Sequence, residues 1–136
     1  MKIFLTGATG YIGKRLLIQL LEEGHHVVCS VRDRKRLSLK LYQNHLEKIQ
    51  IIENDFLDEN SLQNIPHDID FAYYLVHSMS SGSGNFSKKE RISAENFRKA
   101  FDKTSVKQVV FLTGIINEEK LSEHLQSRKN VEQALK

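Results

Sequence analysis

The chain has 136 residues, 40% of them hydrophobic, with one proline and a formal net charge of +3. That length and apolar content predict one globular domain spanning residues 1–136, and no apolar run is long enough to cross a bilayer. A pI near 9.0 permits anion binding without arguing for nucleic acid. Strand signal from Lys2 leaves no room for a signal peptide. Cys29, in the run Val27-Val28-Cys29-Ser30-Val31, reads as a small buried hydrophobe. With no second cysteine, an intrachain disulfide is excluded and a reducing cytoplasm is the expectation.

In chain order, strand and helix patterns alternate without a linker or repeat. Lys2–Thr6 is a first strand, and Tyr11–Glu23 a helix with Ile12, Leu16, Leu17, Leu20 and Leu21 on one face, stopped at Gly24. His26–Val31 is a second strand. A basic segment follows, with a short helix within Leu39–Leu46. Ile49–Glu53 is a third strand, and Glu59–Asn64 a helical turn ended by Pro66. Phe71–His77 reads as a continuous apolar strand of the kind found in the middle of a parallel sheet. Ser78–Asn85 is Ser/Gly-rich and predicted mobile. Ser87 and Glu90 have capping-box spacing, which predicts a helix from Lys88 to about Lys103. Val106–Leu112 is a fifth strand, and Asn117 or Ser122 opens a last helix running to Leu135. Such alternation forces right-handed crossovers and an α/β, doubly wound parallel sheet of about five strands, order 3-2-1-4-5, with helices on both faces.

The most informative motif lies between the first strand and first helix, in Thr6-Gly-Ala-Thr-Gly-Tyr-Ile-Gly13. Gly7 suits the sharp turn, Gly10 lets a phosphate approach the backbone, and Gly13 lets the helix press closely on the strand. Free N–H groups near Tyr11 and Ile12, with the helix dipole behind them, would face an anion. The pattern therefore points to the pyrophosphate of a dinucleotide.

These residues resemble the short-chain dehydrogenase/reductases in their atypical, epimerase-like branch, whose cofactor domain is a Rossmann-type sheet. The glycine run Thr6–Gly13, the segment Tyr74-Leu-Val-His-Ser-Met79 and the segment His124-Leu-Gln-Ser-Arg128 carry the likeness, which covers essentially the whole chain. Members are considerably longer, so the resemblance implies the N-terminal, cofactor-binding part of such a protein, without the C-terminal substrate-binding part. It implies cofactor contacts from the glycine run, Gly7, Thr9, Gly10, Tyr11, Ile12 and Gly13, and a small-molecule substrate that the sequence does not identify.

Arg32 closes the second strand, where an acidic residue would bind the ribose of NAD. An arginine there favours the 2′-phosphate of NADP, with NAD as the lesser option, and Arg34, Lys35 and Arg36 add positive charge. The alternative is an ordinary solvated loop. By resemblance, Asp55, with Phe56 beside it, accepts from the adenine amino group. Capping a helix is its other reading, for which Asp58 competes. Val76, His77 and Ser78, by resemblance, line the nicotinamide ribose. His77 is either a proton donor or a packed strand-end histidine.

The family uses a Ser or Thr after the fifth strand and a Tyr-x-x-x-Lys pair on the next helix. Thr113 matches the first position, while His124 and Arg128 stand where Tyr and Lys would be. Their spacing keeps both on one helix face. Either they face the cofactor, or they decorate a surface helix whose buried stripe is Leu121, Leu125, Val131 and Leu135. The implied function is NADP(H) binding, with hydride transfer on a carbonyl or alcohol in the full protein. Its rival is a non-catalytic dinucleotide sensor with a degraded Tyr/Lys pair. No metal-ligand spacing is present, and neither nucleic acid nor membrane is an expected partner. A fifth strand left at a sheet edge, bearing Val109, Val110, Phe111 and Leu112, invites self-association as a homodimer.

Overall fold

A computed structural model of the chain describes residues 1–75 and 86–111. Five strands, β1 (Lys2–Thr6), β2 (His26–Val31), β3 (Ile49–Glu53), β4 (Phe71–Tyr74) and β5 (Gln108–Phe111), form one sheet. The order is β3-β2-β1-β4-β5 and every pairing is parallel, as the alternating pattern requires. The register places Phe4 beside both Val28 and Ala72 in the middle of the sheet.

Strand alternation sorts the core into two layers. Ile3, Leu5, Val27 and Cys29 face helix α1 (Tyr11–Glu22), whose Leu17, Leu20 and Leu21 are buried against them. Phe4, Val28, Ala72 and Tyr74 face the other way, toward Ala94, Phe97 and Phe101 of helix α2 (Phe86–Phe101). Both faces of the sheet are therefore covered, which is why its central strands read as unbroken apolar runs. Among the described residues, no helix is long and apolar enough to cross a membrane.

Several local expectations shift. Ile12 is not part of the buried face of α1: it is 50% exposed. Helix α2 begins at Phe86, so Ser87 lies inside the helix and does not cap it, and Glu90 is buried. The segment Leu39–Lys48 is 3-10 helix broken at Tyr42 and His45, and only Tyr42 is buried. Strand β4 ends at Tyr74 within the described residues. Residues 76–85 and 112–136, with the expected loop and last helix, lie outside them.

Candidate functional site

The carboxyl ends of β1, β2 and β3 open into a cleft of about 250 Å³. Its walls are Gly7, Thr9 and Gly10 of the first turn, Ser30 to Asp33 with Arg36 after β2, and Asn54 to Leu57 after β3. Leu75 and Ser93 close it from the direction of β4 and α2. Strand ends in a doubly wound sheet leave such a crevice because adjacent connections turn to opposite faces.

At the glycine turn, Gly7 has φ +73°, and a Cβ there would sit 3.0 Å from Leu75 Cβ. Leu75 is itself held by Thr6, whose buried hydroxyl accepts from the Leu75 N–H (2.8 Å) and donates to the Tyr73 carbonyl (3.1 Å). Gly13 is the most constrained: a Cβ would lie 1.9 Å from the Gly7 carbonyl oxygen. The close packing is thus between the helix and the turn itself, and not between the helix and the strand as expected. Gly10 differs, since a Cβ would meet only the Gly7 oxygen, at 3.4 Å, and would otherwise enter open space.

Gly10 is also the N-cap of α1, where it supplies no side-chain acceptor, and the first turn contains no acidic residue. The first intrahelical bond runs from the Lys14 N–H to the Gly10 carbonyl. The N–H groups of Tyr11, Ile12 and Gly13 precede it and have no acceptor within the helix. The Gly10 N–H is already given to the Gly7 carbonyl at 3.0 Å. What remains is a cradle without a Cβ, with donors that have no acceptor among the described residues and the positive end of a helix dipole, which fits a phosphate group. The Tyr11 ring is 73% exposed and carries the Arg15 guanidinium 3.8 Å from its centroid. Tyr11, Ile12 and Gly13 belong to this helix start and not to the cleft wall.

Beyond β2, the basic residues divide. Arg34 is committed to β3, paired with Glu53 (3.2 Å) and donating to the Ile51 carbonyl (3.4 Å). Asp33 caps the short turn Arg34–Arg36 by accepting from the Lys35 N–H. Arg32 and Arg36 both line the cleft, are exposed, and have no ion-pair partner among the described residues. Arg36 is the cleft residue that sequence spacing failed to separate from its neighbours, because only the turn decides which of four successive positions points inward.

Beyond β3, Asp55 does not cap the turn Glu59–Asn64, for Asp58 does that by accepting from the Asn60 N–H. One Asp55 carboxylate oxygen accepts from the Leu57 N–H (2.9 Å), and the other has no donor among the described residues. Phe56 contributes to the wall but is chiefly core. It is 6% exposed, with its ring against Tyr74 and Phe97 and its carbonyl accepting from buried Asn96. Two lining residues gave no sequence signal: Ser30 and Asn54, buried and hydrogen-bonded to each other at 2.7 Å. Val76, His77, Ser78, Thr113, His124 and Arg128 lie outside the described residues.

Comparison with known proteins agrees with this geometry. A family model described as NAD(P)H-binding matches residues 7–136. A UDP-glucose 4-epimerase of Klebsiella pneumoniae is 37% identical over 71 residues, which are 50% of this chain and 51% of that protein. Yeast methylglyoxal/isovaleraldehyde reductase Gre2, solved with NADPH, superposes with a TM-score of 0.79 at 16% identity, covering 99% of this chain and 52% of the other. Citrobacter sp. triphenylmethane reductase, solved with NADP(H), gives 0.72 at 20% identity, covering 99% and 45%. The chain thus spans about half the length of each of these proteins.

Proposed function

The chain belongs to the NAD(P)H-binding family, and we propose that residues 1–136 form a cofactor domain that prefers NADP(H) and serves an epimerase-like short-chain dehydrogenase/reductase. The observation that carries the preference is the pair Arg32 and Arg36 on the cleft wall beyond β2, unpaired among the described residues and with no acidic residue at position 32. A 2′-phosphate would replace their solvent with charge-assisted hydrogen bonds. The pyrophosphate would take the donors of Tyr11 and Ile12 over Gly10, and the free Asp55 oxygen would accept from the adenine amino group. Val76, His77 and Ser78 would line the nicotinamide ribose.

The cofactor supplies hydride chemistry between its nicotinamide C4 and a substrate carbonyl or alcohol. Thr113 would hold the substrate oxygen, and His124 would exchange a proton with it. Arg128, which keeps its own proton, would bind ribose or phosphate. That departure from Tyr and Lys also favours a second reading, a non-catalytic dinucleotide sensor. In a longer protein that turns over a substrate, loss of turnover in His124→Ala supports catalysis, and unaltered turnover supports the sensor. A cytoplasmic setting is supported by the buried, free thiol of Cys29. Self-association through β5 is part of the proposal, and a strict monomer by light scattering at high concentration removes it.

Paired titrations with NADPH and NADH at one moderate salt concentration test the cofactor. The expected result is NADPH binding at least about tenfold tighter, falling toward parity in Arg32→Glu. An Arg32→Glu ratio equal to that of the parent chain removes the 2′-phosphate assignment.

A further inference from the structure

Asn54 is 3% exposed, follows β3 directly, and makes four hydrogen bonds at the floor of the cleft. Its N–H donates to the Val31 carbonyl (2.8 Å), and its side-chain oxygen accepts from the Ser30 hydroxyl (2.7 Å). Its amide nitrogen donates to the Ser61 carbonyl and to Asn64 Oδ1, both at 2.7 Å. Asn64 in turn donates to the Glu53 carbonyl (3.3 Å).

Ser61 is the relay. Its hydroxyl accepts from the Asp55 N–H (2.9 Å) and lies within hydrogen-bond reach of the Asp55 and Asp58 carbonyls. Asp55 is therefore held at its backbone by a residue that Asn54 holds, and at one carboxylate oxygen by the Leu57 N–H. Its second oxygen is left aimed by the chain and not by solvent. The network is anchored on buried Asn54 and Ser30, and connected hydrogen bonds of this kind restrain one another, so removing one member loosens the rest.

We propose that Asn54 is the positioning residue for purine recognition: through Ser61 it holds the Asp55 carboxylate where it accepts from an exocyclic amino group. This rests on the assignment of Asp55 to the adenine end of the cofactor. Asn54 touches no cofactor atom in this scheme. Its bond to Ser30 and its backbone bond to Val31 join the adenine corner to the strand that delivers Arg32, so the two ends of the adenosine half share one rigid base.

The test compares binding of NADPH with that of its hypoxanthine analogue, in which an oxygen replaces the amino group and meets the carboxylate lone pairs. Calorimetric titration of the whole chain is expected to favour NADPH by about tenfold or more, because a site built for a donor rejects its absence. In Asn54→Ala that preference is expected to shrink to about twofold, while the NADPH-to-NADH ratio, set by Arg32, stays within about twofold of the parent. A merely structural role would weaken all three ligands together and leave the adenine preference unaltered. Ser30→Ala, which removes one hydroxyl and no strand bond, is expected to lower the preference by about threefold and serves where Asn54→Ala does not fold. A parent chain that binds NADPH and its hypoxanthine analogue equally overturns the Asp55 assignment and the inference with it. A parent chain that discriminates, with folded variants that discriminate equally well, overturns the role of Asn54 alone.

Discussion

One methyl group has opposite consequences at Gly10 and Gly13. At Gly13 it would sit 1.9 Å from the Gly7 oxygen, so α1 must move off the turn. Gly13→Ala is expected to lose more than about 4 kcal/mol, read as loss of cooperative unfolding. Gly10 has φ −82°, and its Cβ would stand 3.4 Å from its nearest neighbour. Gly10→Ala is expected to keep its stability within about 1 kcal/mol yet, on the proposed site, to weaken NADPH binding at least about tenfold, since the methyl would stand in the path of the pyrophosphate. Titration and denaturation of both variants separate fold from site. Cys29 gives a pH signature. Burial pushes its thiol from 9.0 to about 12 in the fold. Between those values the unfolded chain has released a proton that the folded chain retains. This contribution is therefore full below 9.0 and is lost as pH rises toward about 12. Thiol reagents at pH 8 are expected to label Cys29 only after denaturant is added, and labelling of the folded chain counts against the buried placement.

At the level of elements, the ends are built differently from the middles. Helix α1 stops in a Schellman arrangement: the Gly24 N–H bonds the Leu21 carbonyl and the His25 N–H bonds the Leu20 carbonyl, with Gly24 at φ +89°. Nothing lies within 4 Å of a Cβ there, so Gly24→Ala is strained by dihedral alone, at about 1–2 kcal/mol by chemical denaturation. Helix α2 is anchored by Phe97, whose ring centroid lies 4.4 Å from that of Phe101 and 4.7 Å from that of Tyr74. Phe97→Ala is expected to cost about 3–5 kcal/mol, with the NADPH preference preserved in whatever fraction folds. Periodicity finds α1, which buries a stripe at 3.6-residue spacing, whereas α2 is read from the Ser87–Glu90 spacing. That spacing misplaces the start of α2 because it matches a capping box without the backbone being one, and Glu90 is inside the core instead.

For the molecule as a whole, the cleft is shared by segments far apart in sequence, so a ligand that fills it couples them. NADPH at about a hundred times its dissociation constant is expected to raise stability by about 2.7 kcal/mol, seen as a rise of several degrees in Tm, and NADH at the same concentration by less. The strand order, the glycine turn and the basic residue closing β2 were determined by the sequence alone. The order follows from strand–helix alternation with right-handed crossovers, and the other two are local: a backbone that tolerates no Cβ and a charge at a strand end. The sequence could not determine that Arg36 joins Arg32 at the cleft while Arg34 turns to Glu53, that Phe56 belongs to the core, or that Asn54 joins Ser30 to Ser61. Those depend on where β2 and β3 end beside one another and how the following turns twist, and hydrogen bonds spanning 24 and 7 residues leave no periodic trace. Tertiary packing decides them, because a polar side chain becomes a wall, a clamp or a solvated tip according to which neighbours reach its donors and acceptors first.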